Sequence, residues 1–82
     1  MFDKSTRTLI AMLFQRGQIT EMDGELPDGR HFTISHRTKN LWRDDDYYDA
    51  WLAGVYSDDF RGDTVDETLD ALEAYIREEA AA

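Results

Sequence analysis

Between Thr64 and Ile76 the chain carries a pattern that few structures other than a packed surface helix satisfy. Val65, Leu69, Leu72 and Ile76 recur at i, i+4, i+7 and i+11, which is one stripe of a 3.6-residue period. Thr64 and Glu67 stand at capping-box spacing just ahead of that stripe. There a hydroxyl and a carboxylate each satisfy an orphan amide of the first helical turn. Asp66, Glu67, Asp70 and Glu73 fall off the stripe, so the expected solvent side of this helix is almost purely anionic. Phe60, just upstream, reads as an anchor beneath the first turn.

The rest of the chain supplies the layer for that stripe to cover. Residues 3–16 read as a second helix, with Leu9, Ile10, Leu13 and Phe14 on one side, Asp3 or Ser5 as cap and Arg16-Gly17 as terminus. Gln18 to Leu26 and Arg30 to Arg37 read as a hairpin about Pro27-Asp28-Gly29, where Pro presets φ and Gly takes the positive φ. Phe32 and Ile34 alternate with Thr33 and Ser35 in its second arm. Thr38-Lys39-Asn40 is a turn, and Leu41-Trp42 opens a short segment. Tyr47 to Tyr56 fits either a helix capped by Asp46 and ended by Gly54, or a strand rich in aromatic and branched residues. A two-stranded hairpin needs a third partner, which favours the strand. The expected fold class is α+β: one small domain over residues 1–82, helix–β–β–β–helix, a three-stranded antiparallel sheet with both helices packed on one face.

Charge and composition narrow the function. The formal net charge is −9, and it is uneven. Up to Arg43 the chain has seven basic residues against five acidic; beyond it, Arg61 and Arg77 stand against thirteen acids. A phosphate backbone is repelled by that second half and a basic protein surface is drawn to it. With no Cys there is no disulfide framework, thiolate metal site or Cys nucleophile, which suits a reducing cytoplasm. The start, Met-Phe-Asp-Lys-Ser, lacks the basic and apolar regions of a signal peptide. Leu9 to Phe14 is far short of the roughly 20 apolar residues that span a bilayer. The expectation is a soluble, cytoplasmic protein with no membrane partner.

No constellation of residues points to catalysis, a metal or a cofactor. Asp44, Asp45, Asp46 and Asp49, and Asp58, Asp59 and Asp63, supply hard oxygen ligands. However, Phe60 and Gly62 occupy positions that a calcium loop needs acidic, so these read as solvated acidic loops. His31 and His36 fall on opposite faces of the second hairpin arm, without zinc-site spacing or an assignable catalytic partner. Two Trp and four Tyr are a large aromatic endowment for this length, and some of them must build the core. As a strand, Tyr47 to Tyr56 puts Tyr47, Trp51 and Val55 on one face and Tyr48, Leu52 and Tyr56 on the other, and a single helical layer cannot cover both. Trp42, Tyr47, Tyr48 and Trp51 are therefore candidate interface anchors. Leu13 to Gly17 has the flavour of a helix-turn-helix opening, but the two Gly and the Pro between Met22 and Gly29 rule out a recognition helix, so direct nucleic-acid binding is not expected.

Three resemblances bear on the reading. Helix–β–β–β–helix is the topology of double-stranded-RNA-binding domains, but their last helix starts with a lysine clamp on phosphates, where this chain has Asp63, Asp66 and Glu67. Phe60-Arg61-Gly62-Asp63-Thr64-Val65-Asp66-Glu67-Thr68-Leu69 resembles the strand-to-helix junction of HicB-type antitoxins, which implies an antitoxin or adaptor holding a small basic toxin. In size and charge the chain is similar to small acidic phage proteins that block host defence, anti-CRISPR and anti-restriction inhibitors among them, many of which present carboxylates as a duplex presents phosphates. That resemblance implies a non-enzymatic DNA mimic that occupies a basic nucleic-acid-binding surface. Its acidic contacts are Asp44, Asp45, Asp46, Asp49, Asp58, Asp59, Asp63, Asp66, Glu67, Asp70 and Glu73. A further alternative is a structural phage component that forms a homodimer or larger homo-oligomer through an exposed aromatic edge.

Overall fold

Local chemistry sets each element. The computed structural model describes residues 2–38, 45–55 and 60–81. Helix α1 spans Lys4–Gln15 and is capped by Asp3, whose Oδ1 accepts from the Thr6 amide at 2.8 Å. That bond holds the Asp3 carboxyl below the usual carboxylate range. At the other end Gly17 adopts φ 70. Its N–H donates to the Phe14 carbonyl, and the Gln18 N–H donates to the Leu13 carbonyl, each at 3.1 Å, closing the helix in a Schellman motif.

Strands β1 (Glu21–Glu25) and β2 (His31–Arg37) form the expected hairpin. The Gly29 amide donates to the Leu26 carbonyl at 2.9 Å, and Gly29 itself sits at φ 90, a turn-plus-bulge that Pro27-Asp28-Gly29 is built to make. Strand β3 (Tyr47–Leu52) pairs antiparallel with β2, setting Phe32 opposite Leu52, Ile34 opposite Ala50 and His36 opposite Tyr48. The ambiguous segment is thus a strand, and a shorter one than expected. It turns at Gly54, φ 80, and Val55 bridges back to Leu52, joining the core rather than the Tyr47 and Trp51 row. Tyr56 lies outside the described residues.

The sheet has four strands, in the order β1-β2-β3-β4, where the sequence pattern gives three. Strand β4 is Arg61–Gly62, with Gly62 opposite Tyr48 and Arg61 opposite Asp49. Two residues are too few to show alternation, so this stretch reads as loop. Gly62 is required there because a Cβ would fall 2.5 Å from the Glu67 Cβ and 2.9 Å from the Thr68 amide nitrogen. Helix α2 (Val65–Ala81) follows at once, with the Thr64 Oγ1 accepting from the Glu67 amide at 3.1 Å. The Glu67 carboxylate accepts from the Asp63 amide at 2.8 Å, one residue earlier than in the standard capping box.

Pairing divides the sheet into two faces. Met22, Gly24, Phe32, Ile34, His36, Tyr48, Ala50 and Leu52 share one, and both helices pack over it. Ile10 and Phe14 of α1 meet Ile34, Val65 and Leu69, while Leu72 joins Leu26, Phe32, Ala50, Leu52 and Phe60. Phe60 is buried edge-on to Tyr75, ring centroids 5.3 Å apart, and packs with Leu72 against the middle of α2 rather than beneath its first turn. Thr68 is also buried in the helix stripe. Its hydroxyl donates back to the Thr64 carbonyl at 3.0 Å. The opposite face carries Glu21, Asp23, Glu25, His31, Thr33, Arg37, Asp49, Trp51 and Arg61, and no helix among the described residues covers it. No described helix is long and apolar enough to cross a membrane.

Candidate interaction surface

The helix register places Asp66, Asp70 and Glu73 on one line of α2, and Arg7 of α1 reaches all three. Its Nη1 lies 3.4 Å from Asp66 and 2.8 Å from Asp70, and its Nη2 lies 3.1 Å from Glu73. Glu73 is therefore not on the outer side, as its spacing suggested. It is 6% exposed, accepts from the Phe2 amide at 2.9 Å and also holds Arg77 at 3.1 Å. Burial alone would raise its pKa; the Phe2 amide and Arg7 outweigh that and hold it below the usual glutamate range. For Arg7 burial works downward, and Asp70 and Glu73 more than offset it, keeping the guanidinium charged. The acids at i, i+4 and i+7 were visible in the sequence, and that spacing was the one signal for a guanidinium clamp on the flank of α2.

Asp66 and Asp70 stay largely open to solvent despite this pairing, with side chains 70% and 68% exposed. Asp63, Glu67, Asp45 and Asp46 are exposed as well, and Asp49 is half-buried between Arg37 at 3.8 Å and Arg61 at 3.7 Å. Of the aromatic candidates, Trp51 is 50% exposed at the centre of the uncovered sheet face. Tyr47, on the same face, is buried with Arg61 over its ring. Tyr48 lies on the helix side, edge-on to Phe14 and stacked on His36. Neither tyrosine offers a free anchor, because strand alternation sends Tyr48 into the core and Tyr47 is already covered. Trp42, Asp44, Asp58 and Asp59 lie outside the described residues. No group of three or more His, Asp or Glu side chains able to hold a metal occurs among the described residues.

A second acidic row was not singled out by the sequence reading. Glu21, Asp23 and Glu25 point to the uncovered face from the edge strand β1, all exposed. Asp23 accepts from the Thr33 hydroxyl at 2.6 Å, and none of the three has an ion pair among the described residues. The alternation Glu-Met-Asp-Gly-Glu was its signal. Five of the described arginines, by contrast, are held by the chain's own carboxylates: beyond Arg7, Arg77 and the pair around Asp49, Arg30 bonds Asp28 and Glu79, each at 2.7 Å. Compared with protein-family models, curated proteins and solved structures, the chain matches none.

Proposed function

We propose that this chain is a non-enzymatic binding protein whose acidic surface docks on a basic, nucleic-acid-binding surface of a partner protein and occupies it. It would act as a nucleic-acid-mimic inhibitor of the kind that blocks host defence. One observation carries the reading. Of the seven basic residues among those described, Arg7, Arg30, Arg37, Arg61 and Arg77 lie within 4 Å of carboxylates of the chain itself, while Asp45, Asp46, Asp63, Asp66, Glu67 and Asp70 are exposed on a chain of net charge −9. Such a field repels nucleic acid, speeds encounter with a basic protein and is screened within about 8 Å at physiological salt. Asp45, Asp46, Asp63, Asp66, Glu67 and Asp70, all exposed, carry the charged contact, and Trp51 supplies an anchor that the partner desolvates.

The test is affinity for the captured partner across a salt series, with wild type beside the double variant Asp66→Asn, Asp70→Asn. Both side chains are mostly exposed, and Glu73 still holds Arg7, so the fold survives. Affinity should fall steeply with salt, and the variant should bind several-fold more weakly at low salt with a shallower slope. An affinity indifferent to ionic strength would sink the mimic reading.

A further inference from the structure

We propose that the free edge of β1 and the apolar groove beside it form a second docking site, which takes an extended polypeptide segment of another protein as a fifth strand. The segment would alternate basic and apolar residues. This goes beyond the acidic-surface reading and uses different residues. In the β1–β2 ladder the Leu26 amide donates to the Arg30 carbonyl and the His36 amide to the Thr20 carbonyl. By antiparallel alternation Met22 and Gly24 spend their backbone groups on β2. Those of Glu21, Asp23 and Glu25 point outward, and among the described residues no other strand pairs with β1. The five-residue edge offers about 17 Å of backbone.

Next to that edge, between β1 and α1, lies an open groove of about 620 Å³ lined by Phe2, Leu9, Leu13, Met22, Pro27 and Phe32. Gly24 adds no side chain, and the Phe32 ring lies across it. Leu9 is 59% exposed on the rim. A strand added to β1 turns every second side chain into this groove, and the intervening ones onto the face that carries Glu21, Asp23 and Glu25. Apolar residues fit the first set and Lys or Arg the second.

Charge also argues against a second copy as occupant, since two β1 strands side by side bring like acids together, the usual guard of an exposed edge.

The probe is a capped heptapeptide of alternating lysine and valine, titrated into the labelled full chain and read by amide NMR and hydrogen exchange. Binding should slow exchange at Glu21, Asp23 and Glu25. Asp23→Pro removes an outward N–H that the fold does not use, the tolerated place for Pro on an edge strand. It should weaken binding roughly tenfold beyond Asp23→Asn, which removes the charge and keeps the N–H. Leu9→Asp should weaken it too, and a glutamate–valine heptapeptide should not bind. Shifts centred on α2 or on residues 45–49, equal affinity in Asp23→Pro and Asp23→Asn, or self-association through β1 would each overturn the proposal. The mimic reading would stand if only this site failed, because its salt series reads the partner's affinity through Asp66 and Asp70.

Discussion

Glu73 shows how one carboxylate can be taken from a surface and made structural. Its folded pKa lies below the ordinary glutamate value of about 4.3, so the stability it contributes is present above that value. It is lost as pH falls through the lowered folded value. Glu73→Gln keeps the shape and loses the charge, and should cost about 2 kcal/mol in urea unfolding at pH 7. The gap between wild type and variant should close as the pH is lowered past 4; a constant gap would mean that Glu73 is not ionised in the fold. Gly62 makes a steric argument at the same scale. Gly62→Ala pushes a Cβ into the first turn of α2 and should cost about 2 kcal/mol.

At the scale of elements, caps and turns do the specifying. Thr64→Ala should lower stability by about 1 kcal/mol in the same unfolding assay, with little change in the surrounding sheet. The α1 cap, the Schellman close at Gly17, the Pro27-Asp28-Gly29 hairpin and the stripe Val65, Leu69, Leu72 were all legible in the sequence, because each is chemistry among near neighbours. What was not legible depends on distant pairing. Strand β4 exists only because β3 lies beside it, and Arg7 meets Asp66 from 59 residues away. Tyr47 to Leu52 has strand chemistry, yet which of its aromatic faces α1 and α2 would cover was decided by packing.

For the whole molecule, the charge asymmetry was plain from the sequence and its use was not. Part of the acid on α2 holds the two helices together through Arg7, and another acidic row appeared on β1. What remains outward is still anionic, which is why we assign it to a partner. A neutral, packing-only surface would tolerate Lys on the outer side of α2, where Arg77 is the one basic residue. The most direct test is competition: the captured partner is saturated with this protein and titrated with duplex nucleic acid at fixed salt. The acidic-mimic account predicts mutually exclusive binding, with the duplex displacing the protein in proportion to its own affinity. A stable ternary complex of partner, duplex and this chain would contradict it.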